Sequence, residues 1–233
     1  MKTFIYLLAL SLCSALTAEV LQFSDANGIE ASVAEAFPGY SITDEAFDFY
    51  SPKLKHEKEQ LGLILYIPPG DRFQIPLDWK KICQKYRLAL IAPRNVGNQQ
   101  KVERRIAVSV LGTLQALEAH QYDEDRVYLF GYSGGGRMAS RIMFYFPEIY
   151  DACLGICGFD YNRRIDFSAF TKDSNYGFFP YSGPQNENRL KQRKLAVISG
   201  PSDFRYRYLR EIVNKGYKQD GYTIQMFQYE GYG

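Results

Sequence analysis

A serine flanked by glycines stands where a strand pattern gives way to a helix pattern. Gly131, Ser133 and Gly135 form the spacing G-x-S-x-G, after the apolar run 127–130 and before the helical pattern 137–144. At a strand-to-helix turn this spacing is typical of a nucleophile elbow, in which the turn holds a serine hydroxyl out of the backbone. The helix that follows brings free N–H groups and the positive end of its dipole to that hydroxyl. The pattern therefore predicts that Ser133 is a nucleophile.

The same glycines allow two other interpretations. A Gly-rich turn can serve simply as the crossover between a strand and a helix. A phosphate-binding loop is also rich in glycine, but it would end in Gly-Lys-Ser/Thr, whereas Arg137 follows Gly136 in this sequence. We favour the nucleophile because the apolar run and the helical pattern supply the setting that the elbow requires.

Acyl transfer by a serine also needs hydrogen-bond donors for the oxyanion. The N–H of Gly134, directly after Ser133, is the natural first donor. The second is expected from the loop after the apolar run Leu61–Ile67. Two prolines without an N–H open that loop, so Gly70 or Asp71 would have to supply the donor. A plain turn is the alternative for these residues.

A carboxylate that orients the base is expected at the end of another strand. Asp203 follows the apolar strand pattern 195–200, where its carboxylate could accept the N–H of a base. The alternative role for Asp203 is an N-cap for the helix predicted after it. Asp160, which follows the preceding strand pattern, is the second candidate for the orienting acid.

Strand and helix patterns alternate along most of the chain. The apolar runs Leu61–Ile67 and 88–92 predict strands buried on both faces, and the helical spacing over 102–119 predicts a helix packed on them. Further strands are predicted at 46–50, 127–130, 152–156, 195–200 and 222–229, and helices at 77–86, 137–144 and 207–215, with a polar turn at 123–126 and a helix end at Gly216. Alternation of this kind predicts an α/β fold, a mostly parallel sheet flanked by helices in three layers. Ligand sites in such sheets lie at the carboxyl ends of the strands, where the loop 68–71, Ser133 and Asp203 are expected.

The bulk composition excludes some classes of function. The 233 residues carry a formal net charge of only +2 with both signs interspersed, which argues against a nucleic-acid-binding protein. We see no metal-ligand cluster and no cofactor fingerprint, so no cofactor or metal is expected. Three cysteines remain after the N-terminal segment: Cys83, Cys153 and Cys157. Buried free thiols are the preferred interpretation, although one disulfide outside a reducing cytosol is an open alternative.

The N-terminus has the pattern of an export signal. Lys2 precedes a short apolar run and then small residues before Ala18, which predicts a signal peptide over residues 1–18 and a secreted or periplasmic protein. The run is too short to cross a bilayer. Residues 19–233 are predicted to form one α/β domain. Within it, residues 162–193 lack a clean period and are interpreted as a cap or loop insertion over the substrate pocket.

Several of these segments together resemble a known family. The segment 125–137, with the elbow at its centre, resembles the α/β-hydrolases, and most closely the secreted poly(3-hydroxybutyrate) depolymerases, feruloyl esterases and related esterases. Weaker resemblance lies in 92–98 and 199–204. The resemblance covers roughly residue 61 to the end and implies a serine esterase acting on a small-molecule or polymeric ester. It also implies Ser133 as the nucleophile and Asp203 as the orienting acid.

The sequence departs from that family at its third catalytic group. In the family the order is Ser, Asp, His, but His56 and His120, the two histidines here, both precede Ser133. We interpret His56 as a solvated residue and His120 as a residue at a helix end. Two explanations are open. The sequence is that of an esterase truncated just before its histidine, or it is a catalytically inactive binding protein with the same fold.

Overall fold

The structure, a computed structural model, describes residues 19–22, 41–54, 59–119, 122–172, 175–181 and 187–230. The predicted signal peptide, both histidines and the last three residues of the sequence lie outside these ranges. Part of the predicted cap, residues 173–174 and 182–186, also lies outside them.

Eight strands of the described ranges form one sheet in the order β1-β2-β4-β3-β5-β6-β7-β8. Strands β1 and β2 run antiparallel to their neighbours, while β3 to β8 are parallel to one another. The strands are β1 (Glu19–Leu21), β2 (Phe47–Tyr50), β3 (Leu61–Ile67), β4 (Leu88–Pro93), β5 (Tyr122–Tyr132), β6 (Ala152–Ile156), β7 (Lys194–Ser199) and β8 (Ile224–Gln228). The predicted mostly parallel sheet is confirmed.

Burial explains why the strands follow the apolar patterns. Every residue of β3 and β4 is buried, as continuous apolar runs require, whereas β7 alternates between buried and less buried residues. Strand β5 begins earlier than predicted. The predicted polar turn 123–126 is instead the first half of this strand, because Leu61 of β3 pairs with Tyr122 before a shift in register.

Five α-helices of the described ranges flank the sheet: α1 (Leu77–Tyr86), α2 (Val102–Ala119), α3 (Gly134–Tyr145), α4 (Glu187–Lys191) and α5 (Tyr206–Glu211). A π-helical segment, Ile212–Lys218, continues α5. The prediction that Gly216 ends this helix is therefore wrong. Gly216 is needed for packing instead, since a Cβ there would lie 2.8 Å from Cδ1 of the Tyr161 ring.

Apolar side chains on the two faces of the sheet form two separate clusters, which makes the fold three-layered. The larger cluster joins the sheet to α2, α3 and α5, through residues such as Val110, Ile142 and Leu209. The smaller cluster joins β3 and β4 to α1 through Cys83. The three remaining cysteines are buried and free, in agreement with the preferred interpretation of the sequence.

The second face of the sheet is only partly covered by the described residues. Beyond α1, an open groove of about 350 Å³ runs over β5 to β8, and its lining contains no residue of a described helix. Phe130, Leu154 and Ile198 face this groove, together with Phe227, which is 51% exposed. The uncovered face is therefore apolar.

The backbone approaches itself closely where the elbow meets the end of β3. A Cβ on Gly135 would overlap the carbonyl oxygen of Ile67, a backbone atom that no side-chain rotation can move. We therefore expect Gly135→Ala to lower the free energy of unfolding by about 1–3 kcal/mol, the range for overpacked sites. Urea unfolding monitored by circular dichroism measures this change.

Gly70→Ala is the matched control for that experiment. A Cβ on Gly70 would have no atom within 4 Å, so this variant should unfold within about 0.5 kcal/mol of the parent chain. Equal losses in the two variants would contradict the close approach.

Candidate active site

Ser133 lies at the turn between β5 and α3 with strained backbone angles. Its φ of 54° and ψ of −118° are rare for a residue with a side chain. Two hydrogen bonds hold the turn: the Ser133 N–H donates to Ile156 O at 2.7 Å, and Ser133 O accepts the Arg137 N–H at 3.1 Å. The turn is tight because a Cβ on Gly131 would overlap the carbonyl group of Gly135. This is the geometry that presents a hydroxyl outside the backbone.

The Ser133 hydroxyl and the Asp203 carboxylate meet through the guanidinium of Arg205. Nη1 of Arg205 donates to Ser133 Oγ at 2.6 Å, and Nε donates to Asp203 Oδ1 at 2.7 Å. The backbone N–H of Arg205 donates to the same carboxylate oxygen at 3.1 Å. The structure therefore brings the two predicted residues to one site and places a cation between them.

Asp203 is a buried carboxylate with several donors. Its side chain is 2% exposed, and Ser199 Oγ lies 2.9 Å from Oδ2. Burial raises the pKa of Asp203, but hydrogen bonds from Arg205, Ser199 and the Cys157 thiol lower it by more, so that it lies below the ordinary value of 3.8. Asp203 is therefore charged at neutral pH. The alternative role of an N-cap is not seen, because the residue that caps α5 is Arg205, without a side-chain bond.

Arg205 cannot serve as the base in this arrangement. Burial lowers the pKa of its guanidinium, but the hydrogen bond and charge of Asp203 raise it by more, so that it lies above its ordinary value. A group with so high a pKa stays protonated and can only donate. As a result Ser133 Oγ accepts a hydrogen bond from a cation.

Asp160, the second candidate for the orienting acid, has different partners. It is fully buried, and its two carboxylate oxygens accept from Nε of Arg137 and from Nε of Arg141, each at 2.6 Å. Both arginines belong to α3. Asp160 therefore ties the elbow helix to the segment after β6, whereas Asp203 is the carboxylate linked to Ser133.

The oxyanion candidates occupy neighbouring loops. Asp71 is held by backbone bonds to the loop after β4: its carbonyl accepts the Asn95 N–H at 2.8 Å, and its Oδ1 accepts the Gly97 N–H at 2.9 Å. The same loop places the Asn98 side chain against Gly134, where a Cβ would overlap Asn98 Oδ1. Gly134 thus lies beside the Asn98 amide, and Gly70 and Asp71 contact Gly97 of the loop that carries Asn98.

Part of the predicted cap packs beside the elbow helix. The Tyr176 ring lies 4.2 Å from the Tyr208 ring, and the Arg137 guanidinium lies 5.6 Å from the Tyr176 ring. The Tyr176 hydroxyl is buried and has no hydrogen-bond partner among the described residues. These contacts place Tyr176 of the predicted cap close to the elbow helix. The role of residues 162–193 as a cap stays a prediction.

Three residues of the site were not predicted from the sequence: Arg205, Asn98 and Cys157. Arg205 follows Asp203 by two positions, but nothing in that spacing indicates a contact with Ser133, 72 residues away. Asn98 belongs to the segment 92–98 that carried part of the resemblance. Cys157 was interpreted only as a buried thiol. It has a positive φ of 54° at the end of β6, and burial, followed by the charge of Asp203, raises the pKa of its thiol.

Comparison with solved structures agrees with the fold. A thermostable esterase matches with a TM-score of 0.50 and 16% sequence identity, over 80% of this chain and 51% of that chain. The Francisella virulence factor BioJ matches with a TM-score of 0.58 and 14% identity, over 81% and 72%. An S-formylglutathione hydrolase from Staphylococcus aureus matches with a TM-score of 0.58 and 11% identity, over 80% and 86%.

The chain has the α/β-hydrolase fold. No protein-family model matches the sequence, and no curated protein matches it. The chain spans about half the length of the first solved structure named above, the thermostable esterase. At these low identities the likeness to the α/β-hydrolases shows the fold alone.

Two kinds of feature are absent from the described residues. They hold no group of three or more His, Cys, Asp or Glu residues arranged to bind a metal ion. None of their helices is both long enough and apolar enough to cross a membrane.

The low pKa of Asp203 makes its contribution to stability depend on pH. Because the folded carboxyl has a lower pKa than the unfolded one, the contribution is complete at neutral pH and is lost as the pH falls through 3.8 and then through the folded value. Asp203→Asn leaves donors unpaired and should cost about 1–3 kcal/mol at neutral pH. The difference in Tm between parent and variant should shrink below about pH 4.

Thermal melting of both proteins between about pH 7 and pH 3 checks this expectation. Asp78→Asn is the control, because the Asp78 side chain is 84% exposed and pairs only with the exposed Lys81. A Tm difference for Asp203→Asn that does not change with pH would contradict the assigned pKa direction.

Proposed function

We propose that the protein is a serine hydrolase acting on carboxylic esters, with Ser133 as its nucleophile. The observation that carries this proposal is the strained turn that presents Ser133 at the carboxyl edge of the sheet, joined to the buried Asp203 through one side chain. Strain at a residue with a side chain persists only where the surrounding structure enforces it, and it concentrates at functional sites. Structural neighbours that are an esterase and an S-formylglutathione hydrolase support the same class of reaction.

Each residue of the proposed site has a role in acyl transfer. Ser133 Oγ attacks the ester carbonyl carbon, and the Gly134 N–H stabilises the negative oxygen that forms. Asn98 is a further candidate donor, since its side-chain amide lies against Gly134. Gly70 and Asp71 are retained as candidates for backbone donors. Asp203 orients the base by accepting its N–H.

The base is the group that the described residues do not provide. No histidine lies among them, and the guanidinium of Arg205 fills the space between Ser133 and Asp203. Without a base, we expect a residual rate of ester hydrolysis about 10³–10⁴-fold above the rate in water. This residual rate comes from substrate binding and the oxyanion donors alone. A triad of the Ser-Asp-His type, with its histidine supplied from outside the described residues, remains part of this proposal.

The finer assignments are also proposals. The elbow segment 125–137 supports a relationship to the secreted poly(3-hydroxybutyrate) depolymerases and feruloyl esterases, and hence an ester substrate of small-molecule or polymeric type. The charged and apolar N-terminal pattern supports export by a signal peptide over residues 1–18.

One observation favours a second candidate, a catalytically inactive binding protein. Ser133 Oγ is occupied by Arg205, so in the structure the hydroxyl faces a cation and not a base. A binding protein would keep this arrangement permanently. An esterase must displace the guanidinium.

Acetylation of Ser133 distinguishes the two candidates. We expect p-nitrophenyl acetate to acetylate the chain slowly at Ser133, because this ester has a good leaving group and Ser133 is only half-buried. The acetyl group should then persist, since no base activates the water that would remove it. Intact mass and peptide mapping by mass spectrometry measure the number and position of acetyl groups.

Ser133→Ala should abolish this acetylation. Ser202→Ala is the control, because Ser202 is an exposed serine of the neighbouring loop and lies outside the proposed site. Acetylation that is equal in the parent chain and in Ser133→Ala would support the binding protein and reject the esterase.

A further inference from the structure

The proposed hydrolysis gives no role to the Arg205 guanidinium, although it makes the closest contacts of the site. We infer that Arg205 fills the position of the general base, and that the gap between Ser133 and Asp203 is shaped for an imidazole that can replace the guanidinium. This inference rests on the proposed function, because it concerns the base of that reaction. It makes Arg205 an inhibitory positioning residue and not a catalytic one.

The bonding pattern of Arg205 is that of an imidazolium. The two nitrogens that bond to Asp203 and Ser133, Nε and Nη1, are joined through the single carbon Cζ. The two nitrogens of an imidazole are also joined through one carbon, and in the charged form both donate. A planar N–C–N unit thus lies between a carboxylate oxygen at 2.7 Å and a serine oxygen at 2.6 Å.

The two ends of the gap do not depend on Arg205 for their positions. Ser133 is fixed by its backbone bonds to Ile156 and Arg137. Asp203 keeps the bond to Ser199 Oγ at 2.9 Å and the bond to the Cys157 thiol when the guanidinium is removed. A small molecule that enters the gap would therefore meet a serine and a carboxylate already in place.

The gap is within reach of solvent. Arg205 is the residue just before α5, and its side chain is 17% exposed. Phe204, whose ring lies 4.7 Å from the guanidinium, is 77% exposed. Shortening the Arg205 side chain should therefore open a path from solvent to Ser133 Oγ.

Replacement of the cation by a neutral imidazole reverses the proton chemistry at Ser133. Imidazole takes the Oγ proton while Oγ forms a bond to the ester carbonyl carbon, and the carbon–oxygen bond to p-nitrophenolate then breaks. The imidazolium then passes its proton to p-nitrophenolate or to solvent, which restores neutral imidazole. In the second half, imidazole takes a proton from water while the oxygen of that water forms a bond to the acyl carbon. The bond from that carbon to Ser133 Oγ then breaks, the imidazolium returns its proton to Oγ, and acetic acid leaves and ionises to acetate. One ester and one water are consumed in each cycle, and imidazole is regenerated.

The test is chemical rescue in Arg205→Ala. Addition of imidazole should increase p-nitrophenyl acetate hydrolysis by about 10²-fold, the lower end for a positioned general base, and the rate should saturate as the gap fills. Activity should rise with pH as imidazole becomes neutral, near the ordinary pKa of about 6.5 for this ring in histidine. The charged and titratable groups that face the gap are Asp203, Cys157 and Tyr176. The burial-raised pKa values of Cys157 and Tyr176 keep both neutral in that range.

Matched variants separate rescue from background. Imidazole hydrolyses this ester slowly by itself, and the double variant Ser133→Ala/Arg205→Ala measures that rate. Arg205→Lys keeps a cation near Asp203 and should show no rescue. Arg205→Ser leaves a similar gap and provides the same test if the alanine variant does not fold, which thermal melting reports.

The outcomes distinguish this inference from the proposed function. Saturable rescue that requires Ser133 supports the inference. Acetylation of Ser133 in the parent chain, with no rescue in either small variant, overturns the inference and keeps the esterase. Acetylation that does not involve Ser133 in any variant rejects the proposed function, and the inference with it.

Discussion

The positive φ of Ser133 is the constraint on which the rest of the site depends. A strained residue of this kind costs about 1–3 kcal/mol, which the surrounding structure must supply. Three contacts hold Ser133 in this conformation. The Ile156 carbonyl of β6 accepts its N–H, and its own carbonyl accepts the Arg137 N–H of α3. The glycines of the elbow let the backbone pack directly against β3. The neighbouring strands β3 and β4 are buried along their whole lengths, and this packed frame opposes relaxation of the turn. The sheet therefore fixes the position of one hydroxyl.

Two buried carboxylates lie near this turn, and their partners give them different roles. Asp160 is neutralised by two arginines of α3, so it secures the elbow helix. Asp203 is neutralised by one arginine, which also touches Ser133. Removing either carboxylate would leave its arginine donors buried without a partner, which would lower the free energy of unfolding. Only at Asp203 would a change of partner also change the environment of Ser133.

The sequence predicts those parts of the molecule that depend on local pattern. The extents of β3, α1 and α2 follow from apolar runs and helical spacing, and the elbow follows from its glycines. The predictions fail where a distant partner decides. Residues 123–126 are polar, yet they belong to β5, because Tyr122 ahead of them pairs with Leu61 of β3 and a shift in register follows. Position 216 in the helical segment is a glycine because the Tyr161 ring occupies the space a side chain would need. The Arg205 contact is of the same kind, since it joins residues far apart in the chain.

The arginine in the site shows how geometry and chemistry can disagree. A guanidinium and an imidazolium both present two N–H groups across one carbon, so either can bridge a carboxylate and a serine oxygen. They differ in how readily they release a proton. Imidazole loses it near neutral pH and can then accept the serine proton, whereas a guanidinium raised above its ordinary pKa holds it throughout. In the proposed reaction the arrangement around Ser133 therefore lacks only a group of the right proton affinity, because Arg205 bonds to Asp203 and to Ser133 but keeps its proton.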